Sequence, residues 1–228
     1  MTVSNIYQKW TIGLILALLV FRVGALFIFP LGLHGDEAQY WAWSKELDWG
    51  YFTKPPLIAW VIWTTTTLFG DAEWAVRLSS PLLHSITAFM IFRTARFAFD
   101  AKTGFWAVAI YLLMPALWLS SGIVSTDVSL LLCWAIALNA WLHLREIASP
   151  TRALQLGIAI GFGLLAKYAM FFFFPALAIA LILDKPTRQG LSAKQGLMAG
   201  VSAFLIFLPN IIWNFNHCLL YTSDAADE

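Results

Sequence analysis

Apolar runs of up to nineteen residues recur along this 228-residue chain, separated by short polar breaks, and they constrain its fold more than any other feature. Thr11 to Phe29 is the first, and at 1.5 Å rise per residue a helix of that length just crosses the hydrocarbon of a bilayer. Runs at Ala75–Phe92, Gly104–Leu119, Leu130–Leu142, Ala153–Ala166, Met170–Leu183 and Gly196–Trp213 continue the series, which predicts seven membrane helices. Only 12% of the residues are charged, too few to cover a water-facing surface of this size. The chain therefore reads as an all-α polytopic membrane protein. Its net charge of +1, with no dense basic cluster, gives no reason to expect nucleic acid. Cys133 lies inside a predicted span and Cys218 near the end, so no disulfide is expected. Lys9 precedes the first run without a small-residue cleavage site after it, which reads as a signal anchor.

The charges set the topology. The segments Arg93–Lys102, His143–Arg152 and Asp184–Lys194 carry eight basic residues against three acids. On alternate crossings these three loops share a side with the amino terminus, which the positive-inside rule makes cytoplasmic. The Leu31–Pro56 loop, with four acids against two lysines, then lies outside. Leu57–Phe69 follows it, entered through Pro55–Pro56 and left at Gly70–Asp71. At thirteen residues it reads as an interfacial or re-entrant helix, and counting it as a full span would break the charge pattern. Ser120–Ser129 and the Lys167–Tyr168 break open on the same outer face.

Chemistry-bearing residues gather on that face. Asp36–Glu37 follows the first span among aromatic rings. It is either a pair of ordinary loop charges or a set of carboxylates able to take a proton or hold a divalent cation. Asp127, at the mouth of the fourth span, would cap its helix and could join them. Lys54, Lys167, Arg77 and His34 lie outward, against the topological preference, where cations could contact headgroups or hold a lipid-linked phosphate. Tyr51, Trp49 and Trp43 could stack on a sugar, although an interfacial aromatic belt would supply such rings in any case. Arg22, about three turns into the first span, reads either as a snorkelling or intra-bundle residue or as a holder of phosphate or carboxylate. No P-loop, GxGxxG, HExxH or GxSxG pattern is present. A transporter or flippase would account for the spans and outward cations. It would, however, place its site near the midplane, where Arg22 is the one clear charge, and no internal repeat supports it. A purely structural or receptor role leaves the Lys-Pro-Pro turn unexplained.

The stretch HGDEAQYWAWSKELDWGYFTKPPLIAW (34–60) resembles the first outer loop of a group of bacterial membrane glycosyltransferases. These are the relatives of protein O-mannosyltransferases and lipid A aminoarabinose transferases (GT-C superfamily, glycosyltransferase family 39 type). STDVSLLL (125–132) resembles their second acidic site, and GFGLLAKYAMFFFFPALAI (161–179) their Gly-Leu-x-Lys-Tyr segment. The resemblance covers Trp10 to His217 and implies a GT-C type transmembrane bundle whose first periplasmic loop carries short interfacial helices. It implies Asp36, Glu37 and Asp127 as catalytic acids. Lys54 and Lys167, with Tyr51, Arg77 and His34, become donor-phosphate or substrate contacts. A divalent metal, if one is used, would fall to Asp36 and Asp127, and no other cofactor is implied. The expected reaction is inverting transfer from a polyprenyl-phosphate sugar to an envelope lipid, glycan or protein at the periplasmic face of the bacterial inner membrane. Thr53 stands where the aminoarabinose enzymes usually carry Glu, which weakens the likeness to those enzymes in particular. Residues 1–217 read as the amino-terminal part of one such domain. Residues 218–228, CLLYTSDAADE, resemble a translated sequencing adapter, which implies a native chain running on past His217.

Overall fold

In the computed structural model, which describes residues 3–28 and 32–217, every regular element is helical. The end of the first apolar run at Pro30 and the tail at 218–228, with Cys218, lie outside the described residues. Seven spans are expected, but among the described residues four helices, or five with one bent pair, are long and apolar enough to cross; the fifth and sixth expected spans fall on the shorter apolar helices Pro150–Ala166 and Tyr168–Leu183. Ser4–Ile28, Glu73–Ala98, Thr126–Glu146 and Ala193–Asn216 are long and apolar enough to cross a membrane, and a fifth crossing results if one bent pair is a single span. The protein is thus an all-α polytopic membrane bundle, with no β-sheet among the described residues.

Helix α1 (Val3–Ile28) begins eight residues before the expected apolar run. The extra turns are amphipathic. Tyr7 and Trp10 pack their rings around Phe105, and the Thr11 hydroxyl donates to the Tyr7 carbonyl at 2.8 Å. Two short helices follow outside the span: α2 (Gly35–Trp43) and α3 (Leu57–Phe69). The threonines that make α3 look polar donate back to the helix, Thr64 to Trp60 at 2.8 Å and Thr66 to Ile62 at 2.9 Å, so its surface stays apolar. Gly70, at φ +81°, closes it in a conformation suited to glycine.

A short α4 (Glu73–Arg77) leads into α5 (Ser79–Ala98), and together they form the most enclosed of the long spans. The third expected span is not one rod: α6 (Ala101–Leu113) and α7 (Pro115–Gly122) meet at 61°. Pro115 has no N–H to continue the ladder, and Met114 is extended. The Leu112 carbonyl beside the break accepts from Arg22 Nη2 at 2.7 Å. Arg22 is 4% exposed, with its guanidinium over the Trp118 ring, so its intra-bundle reading holds. A freed carbonyl inside a membrane needs such a partner.

Helix α8 (Thr126–Glu146) packs on α9 (Pro150–Ala166), and α9 on α12 (Ala193–Asn216). Gly157 and Gly161, one turn apart on α9, let the α12 backbone come close: a Cβ at Gly157 would overlap the Ala199 carbonyl and Ser202 Oγ. At 17 residues, α9 is about 25 Å long and shorter than a standard crossing. After Lys167, which is extended, a 3-10 turn (Tyr168–Phe172) and α10 (Phe173–Leu183) continue the path. Asp184 caps α11 (Lys185–Gly190) and pairs with Arg145 at the end of α8.

Candidate active site

Glu37 organises the face that carries the first loop. At the third position of α2 it accepts from the His34 backbone N–H at 3.0 Å, a capping arrangement that fixes where the helix starts. From the other side Arg77 of α4 donates Nε to Oε1 at 2.9 Å and Nη2 to Oε2 at 2.6 Å. The Val124 N–H reaches Oε1 at 2.9 Å, and Arg77 Nη2 also reaches the Gly32 carbonyl at 2.9 Å. Glu37 is 2% and Arg77 4% exposed. Burial pushes the Glu37 carboxyl up, but the bonds from Arg77, Val124 and His34 outweigh it and hold the group below the usual carboxylate range. These two residues therefore bind each other and tie the first loop to α4 and to the segment before α8. His34 stays exposed at the cap.

Asp36, one residue earlier, faces outward and is exposed. One helical turn on, Tyr40 is 4% exposed. Burial raises its phenol pKa, and the charges of Asp36 and Asp127, from separate elements, raise it further. Asp127 sits in the first turn of α8, and Lys167, from the break after α9, holds it with Nζ 2.7 Å from Oδ1. Lys167 and Asp127 thus form an exposed ion pair from two parts of the chain, and Asp36 and Asp127 both act on Tyr40 through their charge. Among the described residues no three His, Cys, Asp or Glu side chains gather to hold a metal ion. Asp36 and Asp127, one of them already carrying a lysine, are not a set that would by itself hold a divalent ion.

Lys54 is half-buried at the Lys-Pro-Pro turn. Its carbonyl accepts from the Tyr51 N–H at 3.1 Å, and its ammonium has no hydrogen bond or ion pair among the described residues. Tyr51 stacks on Trp43 with centroids 4.8 Å apart, and its hydroxyl lies 3.0 Å from the Trp43 carbonyl and 2.9 Å from that of Glu46. It shapes the loop, together with Trp60, whose indole donates to the Asp48 carbonyl at 3.0 Å.

Sequence reasoning missed Tyr40 and a latch between the loop and α12. Asn210 Nδ2 donates to the Trp49 carbonyl at 2.6 Å, and Trp213 Nε1 to Asp48 Oδ2 at 2.6 Å. The indole of Trp213 lies so close over Gly50 that any Cβ there would overlap it. Beside the latch, Trp43, Glu46, Asp48, Tyr51, Trp213 and His217 line a cavity of about 600 Å³, whose flat rings and carboxylates suit a sugar. An apolar groove of about 500 Å³ begins at Leu57 and Ser129, close in sequence to Lys54 and Asp127, and runs between α3, α5, α8 and α9 past Cys133 and Phe162.

The all-α membrane bundle is consistent with a GT-C type fold. Residues 53–213 match the model of the family described as dolichyl-phosphate-mannose-protein mannosyltransferase, and the chain belongs to that family. It is 39% identical over 217 residues to the lipid A galacturonosyltransferase RgtD of Rhizobium johnstonii, an alignment covering 93% of this chain and 46% of the relative. With the lipopolysaccharide core galacturonosyltransferase RgtB of the same organism it shares 29%, over 93% of this chain and 44% of the relative. A third relative is the undecaprenyl phosphate-alpha-4-amino-4-deoxy-L-arabinose arabinosyl transferase 2 of Pseudomonas fluorescens, at 28% identity over 92% of this chain and 39% of the relative. The chain spans less than half the length of each of these relatives. No solved structure matches it.

Proposed function

We propose that the protein containing this chain transfers a sugar from a polyprenyl-phosphate donor to an envelope acceptor, with lipid A the first candidate, at the periplasmic face of the bacterial inner membrane. The observation that carries this reading is the exposed Lys167–Asp127 pair, which is on the same face as the exposed Asp36, both acids acting on Tyr40 through their charge. Asp36, exposed and outside the Glu37–Arg77 knot, takes the proton of the acceptor hydroxyl as its oxygen attacks the anomeric carbon. The bond from that carbon to the phosphate oxygen breaks on the opposite side, so the configuration inverts. The polyprenyl phosphate leaves with its charge met by Lys54, and Lys167 exchanges between Asp127 and the phosphate. The groove that starts at Leu57 and Ser129 holds the prenyl chain. Glu37 and Arg77 act as positioning residues that set the pitch of α2. The basic excess in the three loops opposite supports an amino terminus in the cytoplasm. The names of the relatives support lipid A or lipopolysaccharide core as acceptor.

The test is Asp36→Asn in the full-length gene, with mass spectrometry of the envelope lipids. Removing a positioned base costs about 10²–10⁴ in rate. Product loss at normal protein abundance, with donor binding retained, is expected. Transfer at the wild-type rate would reduce Asp36 to a loop charge and sink the assignment.

A further inference from the structure

The opposite end of the bundle, where the chain begins, carries a second site. There Gln8 of α1, Arg93 and Arg96 of α5 and His143 of α8 line a cavity of about 470 Å³, floored by Phe89 and Phe92, and no carboxylate borders it. Arg96 Nη1 donates to Gln8 Oε1 at 2.8 Å, which aims the guanidinium across the cleft. Arg93 has no hydrogen bond or ion pair among the described residues. His143 is fixed by two contacts. Its Nδ1 lies 2.8 Å from the Asn139 carbonyl and so carries the proton, and its ring stacks on Phe97 at 3.9 Å.

A separate observation says what such a cavity fits. An apolar groove of about 370 Å³ runs along the same two helices, lined by Ile12, Ile15, Leu16 and Leu19 of α1 and by Leu82 and Ile86 of α5. Phe89 borders both spaces. The lining residues of α1 climb turn by turn from Gln8 to Leu19, about 16 Å of helix. Two arginines at the membrane edge, with an apolar channel leading from them toward the bilayer centre, match a lipid phosphate followed by its acyl chain. Basic pockets between helices at this depth are suited to anionic headgroups, and the guanidinium fork grips phosphate oxygens in pairs.

We propose that this cleft binds an anionic phospholipid of the leaflet on the amino-terminal side, its phosphate between Arg93 and Arg96 and one acyl chain against Ile15, Leu16 and Phe89. The site is independent of the sugar-transfer reading. It holds the inner ends of α1, α5 and α8 together through a bound lipid.

The test uses the full-length protein, purified in neutral detergent and titrated with phosphatidylglycerol or phosphatidylcholine of matched chains, with retention read by native mass spectrometry. Phosphatidylglycerol is expected to be retained in preference. Arg93→Gln with Arg96→Gln should lower its retention about thirtyfold, from two basic contacts at a charged membrane surface. Ile86→Trp, which fills the groove and leaves the charge unchanged, should also lower retention. Lys185→Gln with Arg188→Gln, on another loop of the same side, should leave it unchanged. Equal loss in that control pair would mean diffuse surface charge and overturn the site. So would displacement by millimolar inorganic phosphate with no effect of Ile86→Trp, which would make it a soluble-anion site. Unchanged retention in the Arg93/Arg96 variant would overturn it outright.

Discussion

Arg77→Met is the sharpest perturbation of the outer face. It keeps an apolar stem of similar reach and strips the guanidinium from a carboxylate that is 2% exposed. Removing one partner of a buried ion pair typically costs about 3–5 kcal/mol, because the remaining charge stays desolvated. Here the Val124 and His34 N–H groups still serve Glu37, so the loss should fall near the lower bound, about 3 kcal/mol. Pairing it with Glu37→Met removes the orphan charge and leaves only unsatisfied backbone groups, at about 1–2 kcal/mol. The double variant should therefore be more stable than Arg77→Met alone, which is the signature of a buried pair. Acid offers a second reading of the same contact. The folded-state pKa of Glu37 lies below its ordinary value, so its contribution is present above about pH 4.5 and is lost as pH falls through the lower folded value. That acid-sensitive part should shrink or reverse in Arg77→Met, because only the Val124 and His34 bonds then oppose the upward pull of burial. Unfolding in mixed micelles, followed by helicity across pH, measures all three. A cost under about 1 kcal/mol for Arg77→Met, the range of an exposed pair, would refute the argument.

Gly157→Ala should weaken the α9–α12 seam by about 1–3 kcal/mol, because the added methyl meets the Ala199 backbone as well as Ser202 Oγ. Ser202→Ala should therefore fail to rescue it in the same unfolding assay. Gly50→Ala should push the Trp213 indole off the first loop and raise protease cleavage between Asp48 and Phe52, with Trp213→Ala relieving the clash in the double variant. Cleavage no faster than in the parent protein would show that the latch does not hold the loop.

Composition and apolar runs located the helical segments, though not which of them are long enough to cross, and Pro55–Pro56 and Gly70 marked the limits of α3, because these signals are local. The Lys167 break was legible too, since a lysine and a tyrosine interrupt two apolar runs. Pro115 carried the signal for the bend between α6 and α7, but an unbroken apolar run hid it: hydropathy measures burial in lipid and is blind to a missing N–H. The roles of Glu37 and Arg77 were out of reach for a different reason. Forty residues separate them, and nothing near either one says that both are buried. Tyr40 looked like one more interfacial ring, and only the arrival of Asp127 from α8 gives it electrostatic company. The Asn210–Trp49 bond joins residues 161 apart, a distance no local pattern spans.

The bond from Arg22 to Leu112 has a consequence for how the chain is made. Its two ends lie 90 residues apart, and at about 5–20 residues per second the ribosome needs roughly 5–20 s to connect them. Throughout that interval α1 is in the membrane with an uncompensated guanidinium, and six residues, about 9 Å of helix, separate it from Ile28. A long basic side chain can reach toward the headgroups over that distance. The bend between α6 and α7 then offers the arginine an open carbonyl as an internal partner. The break in the third span thus makes the burial of Arg22 depend on a carbonyl synthesised 90 residues later.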